Sequence, residues 1–197
     1  MLSLFREEEL FDEGKKQFTS FQLQDTVLTL HEQFFEKQVA DRLYHFLLKT
    51  TNWKQRERKM YDRIIPDPRL TAWYGKQGDV WNPELLFIKD KVQENCGIVF
   101  DSVLLNLYRN GQDSVSWHSD TVPASGKHHA IASVSFGETR PFRIRHKFNK
   151  AIAPVEIPLT HGSFLLMGET MQDYWEHHIP KTSRHIAPRI NLTFRIT

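Results

Sequence analysis

A strictly alternating stretch near the C-terminus gives the clearest indication of the fold. It reads Arg189-Ile190-Asn191-Leu192-Thr193-Phe194-Arg195-Ile196. Successive side chains of a β-strand point to opposite faces, so the apolar residues share one face and the polar residues the other. On a half-exposed antiparallel sheet the polar face meets solvent. In a sheet that surrounds a ligand, the same face lines a cavity, where two arginines need anionic partners. The stretch alone favours neither arrangement.

Shorter segments of the same kind precede this strand. After Gly97, runs of β-branched and aromatic residues alternate with turn residues such as Asn110-Gly111 and Pro123-Ala124-Ser125-Gly126. We predict strands near residues 102–109, 114–118, 130–136, 140–147, 154–159, 163–167, 174–179 and 189–196. Helices are predicted over about 31–50, from apolar residues at helical spacing, and over 82–96, where Asn82 suits the N-cap and Gly97 the stop. This order predicts an α+β, mainly β fold: a jelly roll with N-terminal helices packed outside it.

The bulk properties fit one globular domain. The chain has 197 residues and no repeat or linker, so we expect a charge-rich N-terminal arm over 1–24 and a single domain over 25–197. Cys96 is the only cysteine, which excludes an internal disulfide and a multi-thiolate zinc site. Neither a secretory signal nor a membrane-spanning run is evident. We therefore expect an intracellular protein, cytoplasmic or nuclear, that is a monomer with no membrane partner. The net charge of +2 is weak support for nucleic-acid binding.

Two potential metal ligands lie two residues apart in Trp117-His118-Ser119-Asp120. On a strand, His118 and Asp120 project to the same face. They provide two of the three ligands of a 2-His-1-carboxylate triad, which binds Fe(II) and leaves positions open for oxygen and a cosubstrate. The chain holds ten histidines, however, so chance matches are expected. Taken alone, the pair favours a surface strand end with a hydrogen-bonded histidine.

A third ligand must come from a distant part of the chain. The candidates are His161, His177, His178 and His185. His161 precedes a glycine in a predicted turn, whereas His177 and His178 point to opposite faces of one strand. Spacing does not say which of these faces points inward, so the choice stays open.

Six segments carry a resemblance to a known family. They are Asn106-Leu107-Tyr108, Trp117-His118-Ser119-Asp120, Ile131-Ala132-Ser133-Val134-Ser135-Phe136-Gly137, His161-Gly162-Ser163-Phe164-Leu165-Leu166-Met167, Trp175-Glu176-His177-His178-Ile179-Pro180 and Pro188-Arg189-Ile190-Asn191-Leu192-Thr193-Phe194-Arg195. They occur in family order over about residues 70–196. On these segments the chain resembles the AlkB family of Fe(II)- and 2-oxoglutarate-dependent nucleic-acid demethylases, whose fold is a double-stranded β-helix.

The resemblance implies a metal centre and a reaction. His118, Asp120 and His177 match the iron ligands of the catalytic centre, and His177 is preferred to His178 because it directly follows the Trp-Glu pair. The implied enzyme is a dioxygenase that demethylates N-alkylated bases, such as methylated adenine and cytosine, in DNA or RNA. The reaction uses Fe(II), O2 and 2-oxoglutarate and releases succinate, CO2 and formaldehyde.

The resemblance also implies a cosubstrate pocket. Arg189 matches the arginine that binds the distal carboxylate of 2-oxoglutarate, and Arg195 matches a second arginine near the keto-acid end. Asn106, Tyr108 and Asn191 match positions that line this pocket.

Substrate contacts are predicted from residue type and pattern. Trp73 and Tyr74 are aromatic residues suited to stacking on a base that is single-stranded or flipped from a duplex, although core packing explains Trp73 equally well. A basic segment includes Lys127, His128 and Arg140, and within it Arg143 and Arg145 share one strand face, suited to following phosphates. The usual alternative for such charges is a solvated outer strand.

Two departures from the family pattern bear on the substrate. Val122 stands where base-repairing members carry an acidic residue, and the segment that follows residues 71–75 is short where relatives form a lid. The alternative function is therefore a hydroxylase or demethylase of the same fold that acts on a protein side chain or a small molecule. A catalytically silent jelly-roll binding module is a third possibility, but the intact ligand and arginine positions argue against it.

Overall fold

The computed structural model describes residues 18–60, 62–76, 78–121 and 129–197, with the side chains of 58–60 left out. Within these ranges the chain forms β1 (Thr19–Leu23), β2 (Thr26–His31), α1 (Lys37–Thr50), β3 (Lys54–Met60), β4 (Arg63–Gly75), α2 (Pro83–Cys96), β5 (Ser102–Tyr108), β6 (Val115–His118), β7 (Ile131–Gly137), β8 (Arg140–His146), β9 (Val155–Leu159), β10 (Ser163–Met167), α3 (Met171–Tyr174), β11 (Trp175–Ile179) and β12 (Arg189–Arg195).

These strands form two antiparallel sheets. The major sheet has the order β1-β2-β10-β7-β12-β5-β4-β3, and the minor sheet has the order β6-β11-β8-β9. Apolar residues from both sheets form one shared core cluster, so the sheets face each other; examples are Leu165 and Met167 of the major sheet and Ile144 and Trp175 of the minor sheet. The predicted mainly β jelly roll is confirmed.

The helices cover the outer face of the major sheet. Leu43 and Leu47 of α1 and Leu85 and Ile88 of α2 belong to a second core cluster that contains the apolar side of β12. The helix α2 begins and ends as its sequence predicts: the side chain of Asn82 accepts a hydrogen bond from the Leu85 amide at 2.8 Å, and the terminating glycine adopts a left-handed conformation. Because the helices bury Ile190, Leu192 and Phe194, the polar face of β12 must point between the sheets.

All eight strands predicted after Gly97 are confirmed, whereas β1 to β4 were not predicted. The sequence of β3 is Lys-Gln-Arg-Glu-Arg-Lys-Met, which lacks alternation because this strand lies at the edge of the sheet. Two prolines in β4, Pro66 and Pro68, also argued against a strand. The first helix begins at Lys37 rather than near residue 31, because residues 26–31 form β2.

The predicted arm is described only in part. Residues 1–17 lie outside the described residues, as does the predicted turn at 123–126. Residues Thr19–Leu23 form β1, which pairs with β2 at the edge of the major sheet. The boundary between arm and domain at 24/25 stays a prediction. Among the helices of the described ranges, none has the length and apolar character needed to cross a membrane.

Candidate metal and cosubstrate site

Strand pairing brings the three predicted metal ligands together. In the minor sheet, His118 of β6 lies opposite His177 of β11, and their ring centres are 4.3 Å apart. Asp120 follows two residues after His118, and its Oδ1 lies 4.0 Å from His118 Nε2. One nitrogen or oxygen atom from each side chain lies within 4.8 Å of the others. Two imidazoles and one carboxylate at these distances match a 2-His-1-carboxylate facial triad.

The hydrogen bonds around these residues prepare them to bind a cation. Nδ1 of His118 lies 2.8 Å from the carbonyl oxygen of Ser116. Because a carbonyl only accepts, Nδ1 must carry the proton, which leaves the lone pair of Nε2 free to bind a metal. Burial lowers the pKa of His177 to about 4, so this ring is neutral at pH 7. Burial opposes ionisation of Asp120, but Arg195 and the two histidines outweigh it and lower the pKa of the carboxyl.

The structure separates the two consecutive histidines. His177 is buried and faces the space between the sheets, whereas His178 faces outward and stacks on Trp117 with ring centres 3.8 Å apart. His161 lies in the turn between β9 and β10, where it accepts a hydrogen bond from the amide of Gly137 at 2.8 Å. His185 is exposed between β11 and β12. Of the four candidates, His177 is the histidine that meets His118 and Asp120.

Arg189 is buried in the cavity between the sheets and is 1% exposed. Its Nη2 donates to Ser135 Oγ at 2.9 Å, whereas its Nε and Nη1 have no hydrogen-bond partner among the described residues. Burial lowers the pKa of Arg189 to about 10, which still leaves the guanidinium charged at neutral pH. A buried charge with two unused donors is costly unless an anion binds to it.

Arg195 occupies the other end of the same strand face. Its Nη2 donates to Asp120 Oδ1 at 2.8 Å, and its Cζ lies 5.9 Å from the centre of the Trp73 ring. Arg195 therefore holds Asp120, the predicted acidic metal ligand, in place.

Three neutral residues and one further arginine complete the cavity wall. The side-chain amide of Asn191 donates to Ser133 Oγ at 2.8 Å, and Asn106 Oδ1 accepts from Arg69 Nε at 2.9 Å. Tyr108 lines the wall beside these residues. The role of Arg69 was not predicted. Arg69, Thr71 and Trp73 alternate with Leu70, Ala72 and Tyr74, and this alternation is the sequence signal that could have identified the strand and its inward face.

The two aromatic residues predicted to contact substrate lie on opposite faces of β4. Trp73 is half-buried opposite Leu104, which lines the cavity. Tyr74 is 6% exposed and belongs to the core beneath the helices. The expectation that Tyr74 stacks on a base is therefore wrong, because adjacent residues of a strand point in opposite directions.

Arg143 and Arg145, the two arginines predicted to follow phosphates, are each paired with a glutamate. Arg143 Nε lies 2.6 Å from Glu156 Oε2, and Arg145 Nη2 lies 2.8 Å from Glu176 Oε2, all on the outer face of the minor sheet. The cross-strand partners neutralise both guanidinium groups, which makes them weaker phosphate ligands than the sequence predicted. Arg140, from the same segment, is buried. Lys127, His128 and Val122 lie outside the described residues.

The donor set fits Fe(II) and 2-oxoglutarate. The side chains of His118, Asp120 and His177 lie close enough together to hold one metal ion, and Arg189 offers unused donors to a carboxylate in the same cavity. A model of the 2OG-Fe(II) oxygenase superfamily matches residues 27–195.

Similar proteins indicate which family of this superfamily the chain belongs to. The chain is 41% identical over 180 residues to alpha-ketoglutarate-dependent dioxygenase alkB homolog 3 of Bos taurus, covering 82% of this chain and 63% of that protein. The Homo sapiens protein of the same name is 40% identical over 184 residues, covering 84% and 64%. The DNA oxidative demethylase ALKBH2 of Homo sapiens is 37% identical over 146 residues, covering 65% and 56%. The chain belongs to the AlkB family within the 2OG-Fe(II) oxygenase superfamily.

The chain spans somewhat less than two thirds of the length of these relatives. A solved structure, that of OsALKBH1, has the same fold, with a TM-score of 0.63 and 15% identity over 91% of this chain and 100% of that chain. The expected cofactors, Fe(II) and 2-oxoglutarate, agree with the family and with the donor set.

Proposed function

We propose that this chain is an Fe(II)- and 2-oxoglutarate-dependent dioxygenase that removes alkyl groups from N-alkylated bases, such as methylated adenine and cytosine, in DNA or RNA. The observation that carries the proposal is that His118, Asp120 and His177 line one cavity together with Arg189, whose Nε and Nη1 have no hydrogen-bond partner among the described residues. The names of the relatives, which include a DNA oxidative demethylase, support the substrate class.

Different residues of the chain have different roles in the proposed reaction. When bound, Fe(II) and 2-oxoglutarate supply the oxidation of an N-alkyl carbon by O2, with release of succinate, CO2 and formaldehyde. His118, Asp120 and His177 would hold the metal, and three protein ligands would leave positions for the cosubstrate and oxygen. Arg189 binds the distal carboxylate of the cosubstrate, and Arg195 keeps Asp120 ionised and in position. Leu104 and Phe142 are among the apolar residues that line the same cavity.

The position of the predicted metal ligands between the two sheets favours an unpaired base. A base stacked in a duplex cannot reach a metal held between two sheets, so it must be flipped out or already single-stranded. Trp73, which lies beside Arg195, is the remaining aromatic candidate to stack on it. The preference for single strands, the monomeric state, the intracellular location and the domain boundaries over 1–24 and 25–197 belong to the same proposal.

One observation favours the second candidate function, a hydroxylase or demethylase that acts on a protein side chain or a small molecule. Arg143 and Arg145 are each paired with a glutamate, which leaves less free positive charge for phosphate than the sequence predicted. The metal centre and cosubstrate pocket are the same in both candidates, so only the substrate separates them.

Turnover of methylated oligonucleotides tests the proposal. The purified protein, loaded with Fe(II) and 2-oxoglutarate, is incubated with single-stranded oligonucleotides that contain N-methylated adenine or cytosine. We expect formaldehyde and an equal amount of unmethylated base, with less product from the matching duplexes. Succinate formation without loss of methyl groups from any oligonucleotide would support the second candidate instead. Failure to form succinate under any condition would overturn both.

A further inference from the structure

A second buried arginine lies behind the end of the cavity where Arg189 and Tyr108 are found. Arg140 is 2% exposed, although it begins a strand whose other arginines face solvent. Its Nη2 donates to the carbonyl oxygens of Asp113 at 3.0 Å and Pro180 at 2.6 Å, and its Nη1 donates to that of Asn110 at 3.3 Å. The side chain thereby joins the β5–β6 turn to the segment that follows β11.

Arg140 and Arg189 share an aromatic neighbour. The Cζ atoms of Arg140 and Arg189 lie 5.7 and 5.4 Å from the centre of the Tyr108 ring, so they are at most about 11 Å apart. Tyr108 is 3% exposed and lines the cavity. Contacts of this kind are favourable because the ring face is electron-rich, and they fix the ring in place.

Neither guanidinium is directly paired with a carboxylate in the part of the chain that the structure describes. Asp113 and Glu138 act on Arg140 through their charge, but both have other partners. Asp113 binds Arg109 through both carboxylate oxygens, at 2.8 and 2.9 Å. Glu138 accepts a hydrogen bond from a backbone amide at 3.2 Å. Two buried cations therefore lie at one end of the cavity without a directly bound anion.

We propose that Arg140 is a positioning and specificity-determining residue for the cosubstrate, because it fixes Tyr108 beside Arg189 and adds a second positive charge behind the site of the distal carboxylate. The cavity thereby selects 2-oxo acids with a charged tail over 2-oxo acids with an uncharged tail. This inference rests on the proposed function, since it requires a 2-oxo acid in the cavity. If the Arg140–Arg189 limit of about 11 Å is taken as the distance from Arg140 to the distal carboxylate, Coulomb's law with an effective dielectric constant of about 20 gives an effect on the order of tenfold in affinity.

Anaerobic calorimetric titration of the Mn(II)-loaded protein tests this role without turnover. The ligands are 2-oxoglutarate and 2-oxopentanoate, which has the same chain length but carries a methyl group in place of the distal carboxylate. The variants are R140Q, which removes the charge, and R140K, which keeps it. The matched control is R42Q, because exposed Arg42 also lies over an aromatic ring, with its Cζ 5.9 Å from the centre of Phe87, but on helix α1 outside the cavity.

We expect R140Q to weaken binding of 2-oxoglutarate about tenfold and to change binding of 2-oxopentanoate less than about twofold. R140K should stay within about threefold of wild type for both ligands, and R42Q should change neither. Equal losses for both ligands would show a merely structural role and would overturn the proposal, as would unchanged binding of 2-oxoglutarate by R140Q. If R140Q does not fold, R140K decides: a loss of selectivity despite its charge would refute the electrostatic role. Absence of 2-oxoglutarate binding by the wild type would instead refute the proposed function.

Discussion

Replacing Arg189 by methionine is expected to strengthen the fold and abolish cosubstrate binding. The guanidinium is buried, and burial lowers its pKa from the ordinary value of arginine to about 10. A difference of this size corresponds to roughly 3 kcal/mol that the folded protein loses by keeping the charge. Methionine removes this cost but gives up the hydrogen bond to Ser135 Oγ, about 1 kcal/mol, and packs less completely. We expect the metal-free R189M variant to be more stable by about 1–2 kcal/mol.

The same change should remove binding of 2-oxoglutarate. Nε and Nη1 of Arg189 have no hydrogen-bond partner within the described ranges, so both are available to a carboxylate. Charge-assisted hydrogen bonds contribute roughly 1.5–3 kcal/mol each, so losing two of them lowers affinity by a factor of about 10² or more. R189K is the control, because lysine keeps the charge but not the planar fork. It should bind 2-oxoglutarate weakly and gain no stability.

Two measurements decide between these expectations and a purely structural role. Urea unfolding in the presence of a metal chelator gives the stability of the metal-free protein, and the shift of Tm on adding 2-oxoglutarate with Mn(II) gives binding. A metal-free R189M variant that is less stable than wild type by more than about 1 kcal/mol would mean that Arg189 serves the fold. An unchanged shift of Tm with 2-oxoglutarate would remove Arg189 from the cosubstrate site.

Three further predictions concern the metal ligands and the substrate wall. H177A should lose Mn(II) binding and turnover, whereas H178A should keep both, because the ring of His177 faces His118 and the ring of His178 stacks on Trp117. Retention of metal by H177A, measured by equilibrium dialysis, would show that His177 is not the third ligand. Burial lowers the pKa of His177 from 6.5 to about 4, so the unfolded chain binds more protons than the folded protein between these pH values. The free energy of unfolding of the metal-free protein should therefore fall by up to about 3 kcal/mol from pH 6.5 to pH 4. A fall of the same size in the H177Q variant would show that other groups cause it. W73L should raise KM for a methylated oligonucleotide without changing the shift of Tm caused by 2-oxoglutarate. Y74L should mainly lower stability, by about 1–3 kcal/mol, because Tyr74 is a core residue. An unchanged KM in W73L would exclude stacking of the base on Trp73.

The sequence predicted those helices and strands whose buried apolar residues recur at regular spacing along the chain. The strands after Gly97 and the helix that begins at Pro83 were predicted because alternation, caps and turn residues act over a few positions. The strand β3 was not predicted because it lies at the edge of the sheet and needs no apolar face. The strand β4 was not predicted because it contains two prolines, which are uncommon within strands.

For the candidate site, the sequence by itself determined the types of side chain and their spacing along each strand. It placed Arg189 and Arg195 on one face of the last strand, because strand geometry fixes that relation, whereas Asp120 lies two residues beyond the end of β6 and approaches His118 from outside a strand. The resemblance to the AlkB family then supplied the chemistry that these residues perform.

Only the tertiary structure decided which faces meet. Pairing of β6 with β11 placed His177, and not His178, against His118, and packing of the helices on Ile190 and Leu192 turned Arg189 into the cavity. Glutamates on neighbouring strands pair with Arg143 and Arg145, which the local pattern had predicted to bind phosphate. These outcomes depend on contacts between residues far apart in the sequence, and the alternation of a strand is the same whichever of its faces is buried.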